Sequence, residues 1–412
     1  MRQIRKLKAS QIKDAMLLGK KAYPMMQINT EAQLMERVEY IKKDFDEASR
    51  TWYGLFEDKE LLGMMVLYDF QMNYYGQEIP VRGIGFVAVD LLHKKQHICK
   101  EMLHWFLADS RKKKYPLAAL YAFRPDFYKK MGFGFGSVCD KYVTSPERLP
   151  RFEGQYKLEY LNLGDIVQVE AFYNRLYAQN HGMLYREDRS YAELLTATDI
   201  YVLGYRSDNE LHALLIFRLV VNERTNERTH MDLELLFNCP EGLKAALNFL
   251  NSQSDQITCI NFSTLYPQLF YRFTDIRNLD EKSLREPAFH HTTDCGMGTM
   301  YRSLDAASLL QKRPCTLDKY SIRFVIRDGF LTGKTESICL KWTKGQARLC
   351  DADKPVVEIS MDTPEFSSWI MNAIDLSTLY QYGLLEISDS SQLELLDRAF
   401  YYRQKPLCLE RF

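Results

Sequence analysis

One stretch constrains this chain more than any other. Residues 81–136 begin "VRGIGFVAVDLLHKKQHICKEML" and end "LAALYAFRPDFYKKMGFGFG". The first part reads as an apolar strand through Val87, then a basic turn, then a helix over 93–109. Ile98, Met102, Trp105 and Phe106 give that helix an apolar stripe. "LAALYAF" is the next strand, and "PDFYKKM" a short helix that Pro125 opens and Gly132 stops. A basic turn between a strand end and a helix start suits a phosphate or pyrophosphate, because the helix offers unpaired N–H groups and a positive dipole end. A solvated basic helix start is the alternative. The stretch is not a Walker loop, since no GK[ST] follows a glycine run, and not a dinucleotide fingerprint, since no G-x-G-x-x-G joins strand to helix. "GFGFG" follows a helix, whereas a phosphate nest precedes one, so Gly132 reads as a cap and the later glycines as close backbone approaches.

The flanking sequence extends this pattern. "MRQIRKLK" is a short strand, followed by helices at "ASQIKDAMLLGKKAY" and, from a Thr30 cap, "TEAQLMERVEYIKKDF". "TWYGLFE", "LLGMMVLYDFQMNYYG" and "IPVRGIGFVAVD" form a meander of strands. Residues 151–290 repeat this grammar more loosely, which predicts a duplication of architecture rather than of sequence. Residues 291–412 change to strands separated by polar turns, then helices, as in a separate α+β domain. At ~150 residues per domain, 412 residues make two or three domains.

Several classes are disfavoured. Lys plus Arg and Asp plus Glu both number 54, so no basic field argues for nucleic acid. No run approaches ~20 apolar residues, which argues against a membrane span, and the basic N-terminus lacks a signal core. Nine cysteines are scattered singly, as suits reduced thiols and a cytoplasmic protein, and no metal-ligand spacing occurs.

The 81–136 stretch resembles the acetyl-CoA-binding core of the GCN5-related N-acetyltransferases (GNATs). Their pattern is a hydrophobic strand, an Arg/Gln-rich turn with glycine, a helix, and a later tyrosine before a glycine–phenylalanine step. Within that superfamily the chain resembles the enhanced intracellular survival (Eis) acetyltransferases over essentially all its length. The resemblance implies an α+β (mixed α/β) fold: an N-terminal GNAT domain at 1–150, a degenerate second GNAT-like domain at 151–290, and a domain like sterol carrier protein 2 at 291–412 that delivers the C-terminus. It implies acetyl-CoA as cosubstrate, a primary amine acceptor (aminoglycoside, polyamine or protein lysine) and a homo-hexamer.

It also assigns residues. Phe86, Val87, Ala88 and Val89 fall on the family's cofactor strand, whose backbone holds the pantetheine arm. Lys94, Lys95, Gln96, His97, Ile98 and Cys99 fall on the pyrophosphate turn and helix start. Here the chain departs from its relatives: lysines replace arginines, and His97 takes the usual glycine place. Tyr128 matches the general acid, with an ordinary packed aromatic as the alternative. The general base of the family is the terminal carboxylate, here that of Phe412. A carboxylate of reference pKa ~3.5 is charged at neutral pH and can accept a proton. Pro406, Leu407, Leu409 and Phe412 would pin a tail that otherwise frays; a docked but idle tail is the alternative. Phe86, Tyr23, Met25, Met26 and Glu410 are candidates for the acceptor cleft, and a core role suits the first four equally. Two further readings stay open: a non-catalytic acetyl-CoA sensor, and a lipid carrier using the last domain.

Overall fold

The computed structural model describes residues 2–412 apart from 24–25, 44, 46–48, 137, 187, 223–226, 265, 267, 280–289, 352–353, 409 and 411. It contains three sheets, of seven, seven and five strands. The fold is α+β with mixed sheets, as the sequence predicts.

The first sheet runs, in spatial order, Arg2–Lys6, Arg50–Glu57, Glu60–Tyr74, Gln77–Val89, Leu117–Tyr121, Thr299–Ser303, Gly134–Phe135. Its long central hairpin turns at Tyr75 and Gly76, both at positive φ (52° and 82°), the geometry of a primed hairpin turn. The helix Ile12–Ala22 covers one face. The helix Glu31–Lys42 starts at Thr30 through a reciprocal capping box with Gln33. On the other face lies the helix Ile98–Lys112, burying Ile98, Met102, Leu103, Phe106 and Leu107. It begins five residues later than the sequence reading placed it, and residues 94–97 form an exposed turn before it.

The second sheet repeats the order of the first. Three antiparallel strands (Tyr201–Ser207, Glu210–Asn222, Glu227–Phe237) lead to the helix Pro240–Asn251 and then to Cys259–Thr264, parallel to the third strand. The two sheets exchange strands. Val138–Thr144, read from sequence within 1–150, pairs with Cys259–Thr264 of the second sheet. Thr299–Ser303, read within 291–412, pairs with Leu117–Tyr121 and with Gly134–Phe135 of the first. The sheets therefore interlock across the linear boundaries drawn at 150/151 and 290/291. The third sheet packs its strands Tyr320–Asp328 and Val357–Asp362 on the helix Thr363–Ile370. Phe324, Trp342, Phe366, Trp369 and Phe400 fill this core, each no more than 2% exposed.

Candidate active site

The strand Gln77–Val89 is bulged. Met64 faces Ala88 and Val66 faces Gly85, so Phe86 and Val87 together oppose Met65 alone. Phe86 sits at φ 47°, an uncommon conformation for a bulky side chain, and bends the strand there. Its parallel pairing with Leu117–Tyr121 stops at Ile84 and Leu120, although the strand runs on to Val89. Beyond that pair the two strands part. An open strand edge is the feature that an extended ligand arm can join by main-chain hydrogen bonds.

At this fork lies a cavity of about 510 Å³. Tyr23, Met26, Phe86, Val87, Tyr128 and Phe412 all line it. Tyr23 donates its hydroxyl to the Val87 carbonyl at 2.7 Å and stacks on Phe86. Burial pushes its phenol up to about 12. Tyr128, in the short helix Pro125–Lys129, is 4% exposed. Burial raises its phenol above the ordinary tyrosine value, with smaller effects of Cys99 and Tyr23 in the same direction, so it stays protonated throughout the physiological range. Gly132, at φ 87°, ends the turn after it, where a side chain would meet the Arg302 guanidinium.

The chain end reaches the same cavity. A Cβ on Gly85 would lie 2.5 Å from the terminal carbon of Phe412 and 2.8 Å from its oxygen, so the carboxylate rests directly over the bulge. The Phe412 ring packs on Phe70 and edge-on to Tyr68, with centroids at 4.8 and 5.6 Å. Two described residues of the tail hold it to the body. Leu407 N–H donates to the His181 carbonyl at 2.9 Å, and the Gln404 amide donates to the Gln179 carbonyl at 2.8 Å. Glu410, a candidate for the acceptor cleft, lies elsewhere. Its carboxylate accepts from Tyr173 at 2.9 Å and from Arg186 at 2.6 and 2.9 Å, tying the tail to the helix Ile166–Gln179 and to Arg186 beyond it. Met25 and Leu409 lie outside the described residues.

The basic turn precedes the helix at Ile98. Lys95 and His97 both take positive φ (65° and 62°), and His97 is the residue flanking the helix start. Histidine thus adopts the left-handed conformation that glycine adopts freely. Arg2 holds the turn, donating to the Gln96 carbonyl and side-chain oxygen at 3.1 and 3.2 Å. Lys94, Lys95, Gln96 and His97 are exposed, whereas Ile98 packs into the core and Ala88 lies beneath the first helix. Burial raises the Cys99 thiol to about 12, so it is a packed thiol rather than an activated one.

Sequence reasoning overlooked Gly85, Arg37 and Arg50. Gly85 carried a signal, since a glycine inside a strand often marks a close backbone approach. The arginines, brought to the cavity from a helix and a separate strand, carried none.

A family model described as an acetyltransferase (GNAT) domain matches residues 3–136, and one described as a sterol carrier protein domain matches 306–409. The N-acetyltransferase Eis of Mycobacterium bovis is 28% identical over 370 residues, covering 84% of this chain and 85% of its own. The chain is an acetyltransferase with a GNAT domain, and it is similar to the Eis enzymes. Among solved structures, Eis1 from Mycobacterium abscessus superimposes with a TM-score of 0.73 at 16% identity, each chain covered completely. A GNAT from Anabaena variabilis does so with a TM-score of 0.78 at 14% identity, again over both whole chains. At these identities the structural likeness speaks for the fold. Among the described residues, no helix of this acetyltransferase is long and apolar enough to cross a membrane, and no metal-holding group of His, Cys, Asp and Glu occurs.

Proposed function

We propose that this acetyltransferase moves an acetyl group directly from acetyl-CoA to a primary amine, with Tyr128 and the Phe412 carboxylate handling the protons. One observation carries this reading: Tyr128 and the chain end line a single cavity at the fork between two parallel strands. The residues present fit the cosubstrate. The open edge at Phe86–Val89 would take the pantetheine arm, and the turn at Lys94–His97 with the free N–H groups of the helix Ile98–Lys112 would take the pyrophosphate. Acetyl-CoA supplies a thioester carbonyl open to attack by a neutral amine. The Phe412 carboxylate accepts a proton from the entering ammonium. As the new C–N bond forms and the C–S bond breaks, the Tyr128 hydroxyl donates to the leaving sulfur. Juxtaposition in one cavity supplies much of the remaining acceleration.

The second domain takes no part in this reading. Its equivalent parallel pair continues for six residues, to Leu235 and Thr264. Just beyond, the Tyr266 ring stacks on Phe237 and its hydroxyl donates to the Phe237 carbonyl. The fork that the first domain leaves open is closed there. The aromatic packing of the third domain likewise supports a structural role over lipid carriage. Hexamer formation belongs to the reading and is checked by light scattering, which should give six times the 48.4 kDa chain mass.

Thiol release from acetyl-CoA with a panel of amines tests the activity. Tyr128→Phe should lower kcat by about 10²-fold or more. One glycine added after Phe412 replaces the carboxylate by an amide and should lower kcat similarly. Full turnover by both variants would remove the assignment of acid and base.

A further inference from the structure

The segment 339–350 reads "CLKWTKGQARLC", so two of the nine cysteines bracket one hairpin. Its strands are Lys334–Thr343 and Gln346–Leu349, joined by Lys344 and Gly345 at positive φ (50° and 79°), the geometry of a primed two-residue turn. Leu340 faces Leu349 in the antiparallel register, which sets Cys339 against Cys350 at the open end of the hairpin. The Cys350 N–H donates to the Cys339 carbonyl at 3.0 Å and extends the ladder beyond that pair. The two sulfurs lie 3.3 Å apart, and no disulfide joins them. Read from sequence as scattered thiols, these two are brought together by the turn between them.

Their place in the fold gives a bond between them something to hold. Gln346–Leu349 is the edge strand of the third sheet. It is four residues long, and its side chains are exposed except that of Ala347, which is half-buried. Little apolar burial holds such a strand, so its attachment rests on ladder hydrogen bonds. The turn end is fixed from outside: the Gly345 N–H donates to the Leu317 carbonyl at 2.9 Å, and the Lys344 N–H to the Asp318 carboxylate at 2.8 Å. At the other end the strand stops at Leu349 and the two cysteines follow as the last pair. Ile338, Leu340 and Trp342 are buried, so alternation turns Cys339 to the opposite face, where it is half-buried like Cys350.

We infer that Cys339 and Cys350 form a site of reversible oxidation, at which hydrogen peroxide converts the thiol pair to a disulfide that fastens the open end of the edge hairpin. One sulfur attacks the peroxide; the O–O bond breaks, leaving a sulfenic acid and one hydroxide. The second sulfur attacks the first; the S–S bond forms, the S–O bond breaks, and a second hydroxide leaves. The two thiol protons complete two water molecules, and the two electrons lost by the cysteines reduce the peroxide. The backbone geometry suits the product. Opposed residues that share a ladder hydrogen bond have Cα atoms ~5.5 Å apart, within the ~4.4–6.8 Å that a disulfide spans. Bond formation needs only that the sulfurs meet, whatever else the Cys350 thiol touches.

The full chain, reduced and then freed of reductant, is exposed to equimolar hydrogen peroxide, treated with N-ethylmaleimide and digested with trypsin. Cleavage after Lys341, Lys344 and Arg348 separates the two cysteines. Mass spectrometry should show peptide 335–341 joined to the peptide that begins at Leu349, with two hydrogens lost, and dithiothreitol should part them. Hydrogen exchange of the bonded amides in 346–350 should slow by about tenfold or more on oxidation. In Cys339→Ser and Cys350→Ser, whose fold circular dichroism checks, peroxide should leave that exchange unchanged. Recovery of both cysteines as maleimide adducts would overturn the inference, as would their separate oxidation to sulfinic acids. A linked pair whose exchange at 346–350 matches that of the reduced chain would overturn the fastening of the edge strand.

Discussion

At the scale of single residues, two glycines govern the site from opposite sides. Gly132 gives the turn after Tyr128 its positive φ and leaves room for Arg302, which bonds the Met131 carbonyl and Asp328 at 2.6 and 2.8 Å. Gly85 leaves room for the terminal carboxylate. Gly85→Ala should retain the folded circular dichroism spectrum yet lower kcat by about 10²-fold, since displacement of a catalytic group by an ångström costs that much. A variant with unchanged kcat would show that the carboxylate position is irrelevant to turnover. The raised phenol of Tyr128 sets a second expectation. The group does not ionise below its ordinary value of 10, so Tyr128→Phe should lower the pH–rate profile without moving its limbs below that pH. Sequence alone pointed to Tyr128 and Phe412 through resemblance. It did not show that Gly85 joins them, because that contact spans more than 300 positions of chain.

At the scale of elements, the turn before the helix Ile98–Lys112 shows how a local departure is accommodated. His97 holds φ 62° with no side-chain cap to the helix, so its side chain contributes no capping bond to offset the left-handed backbone. A left-handed residue other than glycine costs about 1–2 kcal/mol, partly offset by the larger chain entropy of glycine when unfolded. His97→Gly should therefore stabilise by up to about 1 kcal/mol in urea denaturation. A loss of stability would mean that the imidazole makes a contact worth more than the strain. Strands and helices here were legible from periodicity and caps, as at Thr30 and Pro125. The strand exchange was not. Val138–Thr144 follows Gly134–Phe135 by two residues yet joins another sheet, and alternating apolar residues specify a strand without naming its partner.

At the scale of the whole molecule, His181 is packed between Tyr75, Met371 and Tyr402, distant in sequence, and is 1% exposed. Its Nδ1 accepts from the Tyr75 N–H at 3.2 Å, and its Nε2 lies 3.1 Å from the Met371 carbonyl, to which only a protonated Nε2 can bond. These partners select a neutral tautomer, and the Tyr75 ring stacks on it at 4.0 Å. Burial lowers its pKa to about 4, aided by the Arg313 charge. Above pH 6.5 the ring is neutral folded or unfolded, and its full contribution is present. Between 6.5 and about 4 the unfolded chain binds the proton and the folded one does not, so stability falls with pH. The loss is on the order of 3 kcal/mol. Urea midpoints of the native protein should drop across this window more steeply than those of His181→Gln; parallel curves would exclude His181 as a source. Because the same residue accepts from Leu407 N–H at 2.9 Å, acid should loosen the tail that carries the carboxylate before it unfolds the sheets.

The amino-acid sequence by itself determined the local pieces: the apolar strand, the basic turn, the helix stopped by Gly132, and a terminal segment apolar enough to dock. Each follows from neighbours a few positions apart, where propensity, capping and periodicity act. Only the tertiary structure decided what those pieces enclose. The fork at Ile84 and Leu120, the Phe412 carboxylate over Gly85 and the two arginines lining the same cavity are products of long-range packing. Burial in one cavity unites groups from both ends of the chain, and no sequence period encodes that distance.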